Sequence, residues 1–245
     1  MKFLCKSIGG STAYGLKTPT SDIDHRGVFI NTNPTDILGL SRFDCVQKQE
    51  TEDELYYEVR KFFELLRNGN TGALELLFTE NFTEITPSFQ LIYNNRSKFV
   101  DTNKMFSCLR GYMLGERKLA NGERTGQLGG KRKAQLDRYG FSPKNFTQLF
   151  RLAKCGVVLF QTGEFPVNLA KLDVDFRDAL LDIKVHPEKH TKEELNARVD
   201  AAEIELALAY ENRRVNLTFN VELANELLRR MYLPYLVGND AFANM

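Results

Sequence analysis

The sequence predicts an α/β fold over residues 1–100, a sheet with helices against it, followed by an all-helical part over residues 101–245. Three observations carry that division. Two runs in the first hundred residues, Ile23 to Ile30 and Leu55 to Tyr57, are rich in β-branched and aromatic side chains and read as strands. From Val59 the period changes, and Phe62, Phe63, Leu65 and Leu66 fit an amphipathic helix ending near Gly69. Beyond about Lys98 the apolar spacing stays helical, which puts a boundary between residues 95 and 105.

The elements follow in order. Residues 2–8 read as a short strand or a helix end that feeds a glycine turn, and residues 31–44 read as a loop. After the break at Asn70-Thr71-Gly72, Ala73 to Phe78 begins a second short helix. Asp101 to Leu119 suits one helix, and Ala120 to Lys133 is a glycine-rich basic loop. A further helix carries Phe146, Leu149, Phe150, Leu152 and Ala153 on its apolar side, and Asp173 to Lys184 forms another. Thr191 to Glu194 is a capping box at the head of a long helix reaching about Asn212, with Leu195, Val199, Ala202, Ile204, Leu206 and Leu208 as its core face. Asn220 caps a last helix, Val221 to Tyr232, which Pro234 is expected to break.

Composition excludes several classes. Of 245 residues, 42% are hydrophobic and 27% charged, with a net charge of +1, as in an ordinary globular chain. The cysteines at 5, 45, 108 and 155 form no Cys-x-x-Cys pair and fit a reducing compartment. His25, His186 and His190 supply no credible zinc set. Lys6 interrupts the first apolar run, so a signal peptide is not expected there, and no stretch reaches the ~18 apolar residues of a membrane span. A cytoplasmic location is the expectation. The charge is unevenly spread: residues 104–154 hold twelve Lys/Arg against three Asp/Glu. Such an excess is the footprint of a polyanionic partner, nucleotide or nucleic acid. The competing explanation is a solvated face against which acidic residues fold.

The chemistry is concentrated in residues 7–30. Gly9 and Gly10 permit a turn with positive φ and a close approach of main-chain N–H groups to an anion, and Ser11 adds a hydroxyl donor. If Asp22, Ile23 and Asp24 lie on a strand, alternation puts both aspartates on one face and Ile23 in the core. Paired carboxylates repel unless a cation sits between them, and hard oxygen ligands of this kind favour Mg²⁺. Gly129-Gly130-Lys131 is no P-loop, because Arg132 stands where the hydroxyl residue is needed.

The run Gly-Ser-x-x-Tyr-Gly-x-x-Thr-x-x-Ser-Asp-x-Asp-x-Arg-Gly, carried by Gly10, Ser11, Tyr14, Gly15, Thr18, Ser21, Asp22, Asp24, Arg26 and Gly27, resembles the DNA-polymerase-β-like nucleotidyltransferases. In particular it looks like their RNA-repair-associated branch from bacteria and large phages. The likeness continues through Arg60-Lys61-Phe62, Leu74 to Phe78, Tyr139-Gly140, Lys144, Arg151 and Thr162-Gly163-Glu164. It implies a mixed sheet and transfer of a nucleoside monophosphate from an NTP to an acceptor hydroxyl, with pyrophosphate released. It also implies two Mg²⁺ ions, for which Mn²⁺ can substitute, held by Asp22, Asp24 and a third carboxylate. Asp53 stands at the matching place, and Glu58 is its competitor. Gly10 and Ser11 would hold β/γ-phosphate, while Lys144 and Arg151, two helical turns apart, would share a face toward the triphosphate. The implied acceptor is RNA, a tRNA-like 3′ end, bound through segment 104–154. A small molecule or protein hydroxyl, or a non-catalytic nucleotide- or RNA-binding module, are the alternatives.

Overall fold

The computed structural model describes residues 1–40, 43–49, 53–123 and 130–237. The chain forms two compact units, Met1–Asp101 with Leu217–Met245, and Thr102–Asn216.

The first unit is built on five strands, β1 (Lys2–Ile8), β2 (Asp24–Ile30), β3 (Cys45–Gln49), β4 (Asp53–Glu58) and β5 (Phe82–Ile85), in the order β3-β4-β2-β1-β5. β1 runs antiparallel to β2 and β5, and β3 antiparallel to β4, but β2 and β4 are parallel, so the sheet is mixed. A parallel pair needs a crossover, supplied here by a short helix, α2 (Pro34–Leu38), and by β3. The crossover sets β2 and β4 side by side with Asp24 opposite Asp53. α1 (Gly10–Ala13) links β1 to the approach to β2, and α3 (Val59–Arg67), α4 (Thr71–Phe78) and α5 (Pro87–Asn94) follow the strands. Phe62, Phe63, Phe89 and Phe99 are buried in this unit, and their rings meet in edge or tilted contacts 5.0–6.3 Å apart. Each well-placed aromatic pair adds ~1 kcal/mol beyond its area.

The second unit is helical: α6 (Thr102–Ala120), α7 (Gly130–Tyr139), α8 (Pro143–Thr162), α9 (Leu169–Leu172), α10 (Val174–Val185) and α11 (Lys192–Glu211). α8 is the central rod, packed against α6, α10 and α11. Pro143 at its first position and Gly163 at φ 81° delimit it. At Gly156 a Cβ would lie 2.6 Å from Leu109 and 2.7 Å from Leu206. The missing side chain is what lets three helices close on one point. None of the described helices is long and apolar enough to cross a membrane.

Several boundaries differ from the sequence reading. Residues 31–44 contain α2, because Asn33 accepts from the Thr35 N–H at 3.1 Å and Pro34 is preset for the first turn. β3 has little apolar character because it is an edge strand. Asp22 and Ile23 precede β2 rather than starting it. In α11 Leu195, Val199 and Leu206 are buried, but Ile204 and Leu208 face solvent. The final helix, α12 (Val221–Val237), runs through Pro234, and it groups with the sheet-bearing unit, which differs from a single helical domain over residues 101–245. Residues 124–129 of the basic loop lie outside the described residues, and α7 begins at Gly130.

Candidate active site

At the end of β1 the chain turns at Gly9, whose N–H donates to the Asp24 carbonyl at 2.8 Å. Gly10 follows at φ 58°, and a Cβ there would fall 1.7 Å from Asp24 Oδ2. Two independent constraints therefore demand glycine: a left-handed backbone and a carboxylate seated against its Cα. Gly9 is equally confined, since a Cβ on it would meet the Arg26 side chain at 2.8 Å. The motif's other polar residues hold the local path. Thr18 N–H donates to Ser21 Oγ at 2.9 Å and Ser21 N–H to the Thr18 carbonyl at 3.0 Å, closing the turn that leads to β2. Tyr14 OH donates to Glu75 Oε2 at 2.6 Å, which ties α1 to α4.

On β2 and β4 alternation selects which side chains share a face. Asp24 and Asp53 are register partners, and Arg26, two residues beyond Asp24, lies on the same face. Its Nη2 donates to Asp24 Oδ1 at 3.1 Å and to Asp53 Oδ2 at 2.8 Å, and its Nη1 donates to the carbonyls of His25 at 2.9 Å and Asp53 at 3.0 Å. Tyr57, further along this face, has its phenol pushed up by burial, against the opposing pull of the Arg26 charge.

Glu58 occupies the other face of β4 and has a different task. It is buried, its Oε2 accepts from the Arg60 N–H at 2.8 Å as the cap of α3, and its Oε1 accepts from Tyr232 OH on α12. Of the two candidate third carboxylates, Asp53 is therefore the one beside Asp24.

The residues fit a divalent cation in part. Asp53 Oδ1 is buried and has no hydrogen-bond partner among the described residues. A buried oxygen left without a donor is costly, and a hard cation is the kind of ligand that satisfies it. Asp22 is exposed on the approach to β2, and no group of three metal-ligating side chains is assembled among the described residues. The structure thus brings together Gly10, Asp24 and Asp53, with the half-buried Ser11 next in α1. It does not bring Asp22 to them.

Lys144 and Arg151 belong to the helical unit. They do not share an accessible face: Lys144 is exposed near the start of α8, whereas Arg151 is fully buried and its Nε donates to Gln148 at 3.1 Å. Burial, and then the Lys144 charge, hold the Lys184 ammonium below the usual lysine range, so two cations stand near each other here. Elsewhere in the basic segment Arg117 is engaged by Asp200 at 2.7 Å and Asn196 at 3.1 Å, and Lys154 by Asp173 at 3.8 Å. Part of the positive excess is thus met by acidic residues of the C-terminal third.

Arg26 is the residue to which sequence reasoning gave no role. The signal was available: a cation two positions after an aspartate on a strand shares its face.

A carboxylate pair thus stands on adjacent strands beside a glycine turn, in a mixed five-stranded sheet with helices against it, which is the α/β class that the sequence predicts. Comparison with known proteins agrees: the chain belongs to the RlaP family, the RNA repair pathway DNA polymerase beta family, which matches residues 1–230. Over 116 residues it is 28% identical to an uncharacterized 38.9 kDa protein in the nrdC-mobD intergenic region of Enterobacteria phage T4. That match takes in 42% of this chain and 34% of the relative, so the likeness spans about a third of the phage protein's length.

Proposed function

We propose that the protein is a metal-dependent nucleotidyltransferase that joins a nucleoside monophosphate to a hydroxyl of RNA, at a tRNA-like 3′ end. The observation that carries the reading is the Asp24–Asp53 pair, with Asp24 seated against Gly10, in a chain of polymerase-β-like family. The acceptor oxygen attacks the α-phosphorus, the bond to the β-phosphate bridging oxygen breaks, and pyrophosphate leaves while the hydroxyl proton passes to solvent. Asp24 and Asp53 hold Mg²⁺, or Mn²⁺ in its place, with Asp22 joining from the segment before β2. When bound, the divalent cations favour ionisation of the attacking hydroxyl and offset the charge of the departing pyrophosphate. Gly10 and Ser11 receive the β/γ-phosphate through main-chain N–H groups, which the glycine turn lets an anion approach closely, and through the hydroxyl. Lys144 supplies positive charge to the polyanion, together with Lys184; Arg151 serves by bracing α8 from within. Phosphoryl transfer of this kind needs positioning and electrostatics more than a dedicated protein base.

The test is pyrophosphate release with each NTP, Mg²⁺ and bulk tRNA, comparing the wild type with Asp24→Asn/Asp53→Asn. Release that requires RNA and is lost in the variant is the expected result. RNA-independent release would move the acceptor to a small molecule or protein. RNA binding without any turnover, steeply weakened by salt, would make the protein a binding module.

A further inference from the structure

The Asp24–Asp53 pair already has a cation of the protein's own. The Arg26 guanidinium bridges one oxygen of each carboxylate, at 3.1 and 2.8 Å, while its other nitrogen is anchored on two backbone carbonyls. Its stem is packed against Gly9, so the side chain is aimed by the glycine turn. Yet the bridge is not sealed. The side chains of Arg26, Asp24 and Asp53 retain 26%, 24% and 36% of their exposure, which leaves water and ions access to the contact. Asp53 Oδ1, the buried oxygen that Arg26 does not use, has no partner among the described residues.

We propose that Arg26 is a positioning residue that acts as a resident counter-ion: it holds Asp24 and Asp53 together and competes with a divalent ion for them. The inference rests on the reading of these aspartates as metal ligands. Three consequences follow from charge alone. Without nucleotide, a divalent ion must displace a guanidinium that already neutralises the pair, so metal alone binds weakly. A metal–triphosphate complex supplies phosphate oxygens that can accept from the freed Nη2, a charge-assisted hydrogen bond suited to guanidinium. Nη1 keeps its carbonyl anchors during the exchange, so the side chain pivots rather than leaves. Metal and nucleotide binding are thereby coupled through one side chain.

The experiment is titration of Mn²⁺ alone, followed by the electron paramagnetic resonance of the free ion. Wild type, Arg26→Gln, Arg26→Lys and Arg26→Gln/Asp53→Asn are compared, each with and without α,β-methylene-ATP. Arg26→Gln is expected to bind Mn²⁺ alone about tenfold more tightly than wild type, within the usual span of such couplings. The added gain from the nucleotide analogue should shrink by a similar factor, and the Asp53→Asn double variant should lose the increase. Arg26→Lys, a point charge unable to bridge two carboxylates and two carbonyls, should fall between, and it serves should Arg26→Gln fail to fold. Unchanged or weaker Mn²⁺ binding in a folded Arg26 variant overturns the proposal while leaving the metal reading in place. If the double variant keeps the tighter binding, the ion is not at this pair and both readings fall.

Discussion

Gly10 concentrates the site's demands on one residue. Its positive φ and the 1.7 Å approach that a Cβ would make to Asp24 Oδ2 cannot be relieved together. Gly10→Ala must either straighten the turn or push the carboxylate away from its partner. We expect a loss of ~2–3 kcal/mol in urea unfolding, the size of combined backbone strain and overpacking. Turnover should fall by at least ~100-fold, because displacement of a reacting group by an ångström is enough for that. A Gly10→Ala variant with wild-type turnover would mean that Asp24 is not a ligand at its present position. This much was legible in the sequence, since glycine next to glycine before a paired-aspartate strand says that backbone must approach something closely. Asp22 was the opposite case. Residues 22–24 as one strand would make the two aspartates equivalent, whereas β2 starts at Asp24 and leaves Asp22 exposed.

At the level of the element, β4 carries three carboxylates, and one-residue alternation sends two of them, Asp53 and Glu58, to opposite faces. Asp53 meets Asp24, and Glu58 caps α3 and accepts from Tyr232. The sequence could not separate them, because residues 53–58 gave no register, and register comes from the parallel pairing with β2. The separation is measurable. Glu58→Ala strips the acceptor from a buried phenol and from a helix-terminal N–H, and should cost ~3 kcal/mol. Tyr232→Phe should cost ~1 kcal/mol, and the double variant should be less destabilised than the sum, because the two share a bond. None of these should weaken Mn²⁺ binding, whereas Asp53→Asn should abolish it. A Glu58→Ala protein that folds but no longer binds metal would reverse the assignment of the two carboxylates. The polar edge strand β3 and the Asn33-capped α2 were missed for a related reason: their stability comes from neighbours and from a cap, not from a periodic apolar pattern.

Over the whole chain, the succession of sheet and then helices is legible in the sequence, whereas the grouping of α12 with the first unit is not. Helical periodicity reports that a helix has an apolar face and is silent on which partner covers it. The partner is visible in particular contacts: Tyr232 on Glu58, the Arg60 guanidinium 5.5 Å over the Tyr232 ring, and Asn220 N–H on the Lys98 carbonyl at 2.8 Å. The sheet-bearing unit has a pH dependence of definite sign, to which α12 contributes Tyr232. Burial raises the Cys5 thiol and the Tyr57 and Tyr232 phenols above their ordinary values of 9.0, 10.0 and 10.0; for Tyr232 the Glu58 carboxylate adds to the effect. Well below pH 9 all three hold their protons whether the chain is folded or not, and their contribution to stability is complete. As pH climbs past the unfolded values, the unfolded chain releases protons that the folded one retains, so stability falls with rising pH. Lys184 in the helical unit acts in the other direction, because its lowered value penalises the folded state until the ammonium is discharged. The urea midpoint followed by circular dichroism should therefore decline between about pH 9 and pH 11. Tyr232→Phe should make the decline shallower, because one of the three retained protons is gone, while lowering the midpoint at pH 8. An identical slope in Tyr232→Phe would mean that the phenol titrates alike in the folded and unfolded chain. In that event α12 does not bury Tyr232 on Glu58 in solution, and its assignment to the sheet-bearing unit fails.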